Sequence, residues 1–455
     1  MDLCATPATE LARLIRSRQL SATELLTAVL ARIEAGNPAI NAIVTLAAEQ
    51  AFGVAADLDA RAARGSFAGP LHGLPIAGKD MAETAGIRTT FGSPIFAGYV
   101  PSADAPHVAL LRQAGAVLIG KTNVPEFGAG SQTFNPVFGA TRNPYDTRLT
   151  PGGSSGGAAA AVAAGLIPFA DGSDVGGSVR NPSSFCGLVG LRTTPGLIPA
   201  DVLEPLGVVG PIARSAPDAA LLLAGMCGSD PHLPLARPQR AADFLDLRPA
   251  SLRGLRVAWT FDLGDLPVQP EVTAVLAAMR DTLAAAGCSV TDAAPGLSDA
   301  DEVFQVLRGA RMAGMAPLLR EHRDQLKDTL IWNIEKGLAL TAEQIAAART
   351  AHAGIFCRVK SFLADGGYDV LALPTVQVVP FPVEQEWVTE INGRPMDTYI
   401  DWMRSCSRIT VSAHPAISVP AGLTQAGLPV GLQLVGRYGA DRRLLEIAAA
   451  VMANS

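Results

Sequence analysis

From residue 70 onward the chain is written in short apolar runs punctuated by glycine, and this alternation constrains its fold more than any other feature. The runs at 74–77, 116–119 and 166–170 are short for helices and lack the polar alternation of a strand with one wet face. Runs of that kind read as strands buried on both faces. Helix-forming segments lie between them, at 105–114 and 157–164, and the alternation resumes with 255–260, 271–286, 370–373 and 430–435 before a closing helix from Asp441. The pattern predicts an α/β fold, a single large domain with a central mixed, mostly parallel β-sheet covered by helices on both faces. Within it, 1–65 supplies N-terminal helices, 66–215 the core, and 216–455 the remaining sheet, cover helices and C-terminal strands. Leu11, Leu14 and Ile15 share one face of a first helix. Ser21 and Glu24 form a capping box for a second, which carries Leu25, Leu26, Val29 and Ile33 and which Gly36, Asn37 and Pro38 should end. The Pro-rich stretch with Pro231, Pro234, Pro238 and Pro249 reads as a linker or a surface excursion.

Charge narrows the function classes. The 36 Lys+Arg and 42 Asp+Glu give a net charge of −6, and charged residues are 17% of the chain, below the ~25% of globular proteins generally. Without clustered cations, neither nucleic acid nor a membrane surface is an expected partner. Glycine and proline number 45 and 33 without a G-X-Y period, and 49% of residues are hydrophobic, which excludes collagen and disorder. The six cysteines, at 4, 186, 227, 288, 357 and 406, show no C-x-x-C and suit a reducing compartment. Asp2, Glu10, Arg13, Arg16 and Arg18 interrupt any signal-peptide core, and no apolar run approaches the ~20 residues that span a bilayer. The expectation is a soluble cytoplasmic protein. His72, His107, His232, His322, His352 and His414 have no metal-ligand spacing, so neither metal nor cofactor is expected.

Four segments carry candidate chemistry. Gly115 to Thr122 matches the phosphate-loop pattern G-x-x-x-x-G-K-[ST], yet its inner residues are themselves an apolar strand and Pro125 follows where a helix should start. The match reads as accidental. Gly152-Gly153-Ser154-Ser155-Gly156 matches G-x-S-x-G, but a loop precedes it where a nucleophile elbow needs a strand. The Ala-rich segment directly after it instead places both serines at a helix N-terminus among small side chains. Twenty-four positions beyond Ser154, Asp174-Val175-Gly176-Gly177-Ser178 sets consecutive glycines before a serine, a pattern that lets backbone N–H groups converge as an anion nest or form an ordinary tight turn. Lys79 closes Gly73-Leu74-Pro75-Ile76-Ala77-Gly78-Lys79; alone it would read as a surface residue.

Together these segments resemble the amidase signature family of serine hydrolases. The resemblance extends through Gly120-Lys121-Thr122-Asn123, Asn143-Pro144-Tyr145-Asp146, Phe185-Cys186-Gly187, Pro415 to Gly422 and Leu428 to Gln433, so it spans nearly the whole chain. It implies Ser178 as nucleophile, Ser154 as a bridging serine preceded by a cis peptide, and Lys79 as base. The backbone N–H groups of Val175, Gly176, Gly177 and Ser178 would hold the oxyanion. Ser173, Val175, Asn181 and the pair Ser183-Ser184 depart from the commoner pattern, and Val175 and Asn181 stand beside the implied nucleophile.

The chemistry of these residue types agrees. A serine hydroxyl needs a neighbour to take its proton, and lysine can do so only when burial or nearby positive dipoles keep it neutral. The expected activity is cleavage of a carboxylic amide through an acyl-enzyme, on a small-molecule amide, with esters and carbamates (urethanes) also within its chemistry. A homodimer is compatible with this. Met312, Met315, Leu318, Trp332 and Ile334, in the helical segment 300–362, either favour neutral apolar or aryl substrates or only pack the cover helices. The alternative is the glutamine-hydrolysing A subunit of a tRNA-dependent amidotransferase, for which Asp401 is the candidate holder of the glutamine amine. A binding protein without turnover is disfavoured by the intact Lys79, Ser154 and Ser178.

Overall fold

In the computed structural model, which describes residues 2–199, 206–228, 237 and 240–454, the apolar runs become the strands of a 3-stranded and an 8-stranded sheet. Strands β1 (Ile43–Leu46), β2 (Pro75–Lys79) and β3 (Val117–Thr122) form a small sheet in which β3 is central, antiparallel to β1 and parallel to β2. The larger, 8-stranded sheet comprises β4 (Phe169–Asp174), β5 (Val189–Arg192), β6 (Val208–Ala213), β7 (Arg256–Trp259), β8 (Ser289–Asp292), β9 (Val370–Pro374), β10 (Ala416–Leu423) and β11 (Pro429–Val435). Their order is β8-β7-β9-β11-β10-β5-β6-β4.

This sheet is mixed, as the apolar pattern suggested, but it is not mostly parallel. Only β7 with β8 and β7 with β9 pair parallel; the other five pairings are antiparallel. Two connections explain the difference. A tight turn, in which Thr424 and Leu428 bond backbone to backbone, joins β10 to β11 as a hairpin. The helix Arg180–Phe185 carries the chain from β4 to β5 in the same direction, and β6 then inserts antiparallel between them. A strand buried on both faces is apolar throughout in either arrangement, so composition does not report its direction.

Helices cover both faces, as expected, and alternation along β9 shows it. Val370 and Ala372 join one buried cluster with Ala219, Leu276 and Leu445, whereas Leu371 and Leu373 join another with Phe304, Ile355 and Ile409. Successive side chains of a strand point to opposite faces, so these clusters are the two sides of the sheet. The first is covered by Ala216–Met226, Pro270–Ala285 and Asp441–Met452, the second by Ala300–Ala313, Ala342–Asp365 and Arg404–Val411.

The capping box forms as read. Ser21 Oγ accepts from the Glu24 N–H at 3.0 Å, and Glu24 Oε2 accepts from the Ser21 N–H at 2.9 Å. The helix it starts, Ala22–Ile40, runs through Pro38 rather than stopping there. Asn41 ends it in the left-handed conformation, with the Asn37 side chain bonded to the backbone of Ala42 and Ile43. Pro231, Pro234, Pro238 and His232 lie outside the described residues. Among those described, no helix is long and apolar enough to cross a membrane.

Candidate active site

Lys79 is the last residue of β2, opposite Thr122 of β3, and is 1% exposed. Its backbone N–H donates to Asp171 Oδ1 at 2.9 Å, which ties the small sheet to β4 of the large one. Its Nζ lies 2.9 Å from Ser154 Oγ, 2.8 Å from Ser155 Oγ and 2.9 Å from Ser173 Oγ. These partners are hydroxyls, and among the described residues no carboxylate touches the amine. Burial therefore dominates and pulls its pKa from 10.5 to about 7, against the opposing fields of Asp171 and Asp174. An amine so placed carries a free lone pair in a large fraction of molecules at neutral pH.

Ser154 follows a cis Gly153–Ser154 peptide and stands, with Ser155, at the start of the helix Gly156–Ala163. The first residues of that helix must be glycine. A Cβ on Gly157 would lie 2.3 Å from the backbone nitrogen of Asn123, just beyond β3. The small residues after the serines thus allow this helix to lie close against the end of the small sheet, where Lys79 emerges.

The second cluster is split by the structure between strand and nest. β4 runs through Asp174, and the chain turns only at Val175. The Asp174 carboxylate holds that turn from beneath: Oδ1 accepts from Gly177 N–H at 3.0 Å and Oδ2 from Val179 N–H at 3.1 Å. Arg180 grips the same carboxylate through Nε at 3.0 Å and Nη2 at 2.8 Å, and Arg192 Nη1 reaches Oδ1 at 3.3 Å. Burial would raise this carboxyl, but the two guanidiniums and the backbone donors outweigh it and hold it far below the usual carboxylate range. Arg180 also donates to Gln433 Oε1 on β11 and to Thr410 Oγ1, so the turn is anchored across the sheet. Gly177 has a φ of 120°, and a Cβ there would lie 2.6 Å from Cys406 Cβ.

One of the four expected oxyanion donors is engaged within the protein. The Gly177 N–H is already committed to Asp174, because the carboxylate that shapes the turn uses that group to do so. Among the described residues no hydrogen bond engages the N–H groups of Val175, Gly176 or Ser178. Ser178 is half-buried, its carbonyl accepts from the Ser155 N–H at 3.2 Å, and it lines one cavity together with Ser154, Ser173 and Val175. No hydrogen bond joins Ser178 Oγ to Ser154 Oγ, so the contact from Lys79 to Ser154 is formed while that from Ser154 to Ser178 is open.

The same cavity is also lined by Met81, Phe127, Met312, Tyr399, Arg308 and Arg311. Of the apolar residues in the segment 300–362, Met312 reaches the cavity, and Trp332 packs edge-on against Tyr399 with ring centroids 6.2 Å apart. Met315 and Ile334 instead belong to a small cluster with Leu319 and Leu330. Asp401 is not in the wall. It accepts from Thr398 N–H at 2.7 Å and from Arg404 Nη2 at 2.5 Å.

Lys121 of the phosphate-loop pattern is a fully buried strand residue whose Nζ donates to the Ala82 carbonyl and, at 2.9 Å, to Thr84 Oγ1. Gly115, with φ 88°, ends the helix before β3. Among the described residues no group of three or more His, Cys, Asp or Glu side chains is arranged to hold a metal ion.

A buried amine on a hydroxyl cluster, a second serine in the same cavity and a glycine turn with free N–H groups together can perform acyl transfer. The family model described as Amidase matches residues 24–445, and the chain belongs to the amidase signature family. It is 38% identical to an acylamidase of Rhodococcus erythropolis, over 97% of this chain and 94% of that one. It is 34% identical to a glutamyl-tRNA(Gln) amidotransferase A subunit from Moorella thermoacetica, over 99% and 96%. Among solved structures it superposes on a bacterial aryl acylamidase with a TM-score of 0.92 at 28% identity, covering 99% of this chain and 96% of that one. On 6-aminohexanoate cyclic dimer hydrolase the TM-score is 0.89 at 31% identity, covering 100% and 98%.

Proposed function

We propose that this protein hydrolyses carboxylic amides through an acyl-enzyme, with Ser178 as nucleophile, Ser154 as relay and Lys79 as base. The observation that carries the reading is the buried Nζ of Lys79, 2.9 Å from Ser154 Oγ and without a carboxylate partner among the described residues, behind the cavity that Ser154 and Ser178 line. Neutral Lys79 accepts the Ser154 proton as Ser154 takes that of Ser178, and Ser178 Oγ bonds to the amide carbon. The negative oxygen that forms is stabilised by the N–H groups of Val175, Gly176 and Ser178. The proton returns through Ser154 to the amide nitrogen, the C–N bond breaks and the amine leaves. Water then attacks the acyl-Ser178 ester by the same proton path, releasing the carboxylic acid.

Met81, Phe127 and Met312 suit an apolar or aryl substrate portion. Aryl esters and carbamates present the same carbonyl to Ser178 and are further candidate substrates. The amidotransferase reading has relatives of that kind behind it, but Asp401, its candidate holder of the glutamine amine, is engaged by Arg404 and is not among the residues that line the cavity. A fluorophosphonate should label Ser178, and Ser178→Ala should abolish anilide hydrolysis while keeping the wild-type melting temperature to within a few degrees. Labelling at another residue, or turnover by the variant, would overturn the assignment. Free glutamine should be a poorer substrate than an anilide; the opposite ranking would favour the amidotransferase reading.

A further inference from the structure

Four arginines are buried among the described residues: Arg180, Arg192, Arg308 and Arg408. Three have carboxylate partners. Arg180 and Arg192 share Asp174, and Arg408 pairs with Asp265 and Asp301. Arg308 is 8% exposed and has none. Its Nη2 donates to Asn333 Oδ1 at 2.5 Å and to Tyr399 Oη, while Asn333 Nδ2 donates to the same Tyr399 Oη at 3.0 Å. Its charge also lies 5.3 Å from the Tyr399 ring centroid. All of these partners are neutral.

A guanidinium has five N–H donors, and the two on Nη2 are used. No hydrogen bond is assigned to Nε or Nη1, and Arg308 lines the cavity that contains Ser154 and Ser178. The described residues of that wall include no Asp or Glu. The group is therefore a buried cation, fixed on one side by Asn333 and Tyr399, with donors left over and no counter-charge among the described residues. Burial without an opposite charge is costly, and a carboxylate is the partner that guanidinium geometry suits best.

We infer that Arg308 is a specificity determinant that binds a carboxylate carried by the amide substrate. The inference rests on the proposed site and narrows its substrates to amphipathic amides, with an apolar or aryl body against Met81, Phe127 and Met312 and a carboxylate on Arg308. It revises the sequence-based preference for neutral substrates, since Arg308 stands four residues before Met312, about one helical turn, and brings a charge to the same wall.

The test uses paired substrates. Succinyl-4-nitroanilide against butyryl-4-nitroanilide places the carboxylate on the acyl side, and 4-acetamidobenzoate against acetanilide places it on the amine side. In wild type the carboxylate should raise kcat/KM in one pair, and Arg308→Met should lower that charged-to-neutral ratio by about 10- to 100-fold. Arg308→Lys, which keeps a charge, should fall between. Asn333→Asp, which supplies a carboxylate from within the protein, should also lower the ratio. In the Ser178→Ala variant, calorimetry with succinate mono-anilide and with 4-acetamidobenzoate measures binding without turnover, and adding Arg308→Met should weaken one of them at least tenfold. Ratios and affinities unchanged in both pairs would overturn the inference. Arg308-dependent binding with no turnover of any substrate would instead leave it standing and remove the hydrolase reading.

Discussion

Two buried charge clusters lie side by side in this molecule and reach opposite outcomes. Beneath the glycine turn, Asp174 is surrounded by Arg180, Arg192 and backbone N–H groups, so its charge is locked on and the turn is held rigidly. Beside it, Lys79 is buried as deeply, but among the described residues its amine touches only hydroxyls and a carbonyl, and its pKa falls to about 7. Burial alone therefore does not decide whether a group is charged. The direct partner does: opposite charges in contact make a structural clamp, and hydroxyls make a titratable base.

The largest effect expected from breaking this contrast is on the clamp. Asp174→Ala strands two guanidiniums in the interior, and removal of one member of a buried ion network typically costs about 3–5 kcal/mol. Chemical denaturation should show that loss, with hydrolysis abolished because the turn no longer forms. A stability change near zero would mean that the clamp does not hold the turn.

Lys79→Met probes the other cluster through stability. Folding lowers the lysine pKa from 10.5 to about 7, so between those values the unfolded chain binds a proton that the folded chain does not. Stability of the wild type relative to Lys79→Met should accordingly rise with pH across this window, by up to about 1.4 kcal/mol per unit, and be flat below it. A difference independent of pH would show that Lys79 keeps its ordinary pKa.

The smallest effect belongs to Asp171. Its field raises the pKa of Lys79, and its Oδ1 accepts the Lys79 backbone N–H. Asp171→Asn keeps an acceptor and removes the charge, so the alkaline-rising limb of amide hydrolysis should move to lower pH. A move to higher pH would contradict this placement of the charges.

How much of this can be read from the chain differs between backbone and site. The Gly-Ser clusters and Lys79 are legible because close approach and tight turns demand glycine, as the backbone of Asn123 beside Gly157 shows. Strand direction is not, since the doubly buried β9 and β11 look alike whichever way they run. Ser155 and Ser173 sit in the motifs, but only the fold directs their hydroxyls to Lys79. Gly177 has the sequence position of an oxyanion donor, and only in three dimensions does the Asp174 carboxylate occupy its N–H. Arg180 closes the second motif, yet its grip on Asp174 and Gln433 joins segments far apart in sequence. Arg308 carries no signal, because a cation stands out only against the absence of a neighbouring acid, which is a property of space.

The central claim is that Lys79 moves a proton between Ser178, Ser154 and the leaving nitrogen. Its most direct test is the pH dependence of kcat/KM for an anilide and an aryl ester of the same acid, in wild type and Lys79→Ala. An anilide needs a proton delivered to its nitrogen, whereas an aryl ester expels a stable phenolate. Wild-type rates should rise with a limb near pH 7. In Lys79→Ala that limb should vanish, and anilide hydrolysis should fall by ~10²- to 10⁴-fold more than ester hydrolysis. Equal losses for both substrates, with the limb unchanged, would make Lys79 a structural residue and contradict the account.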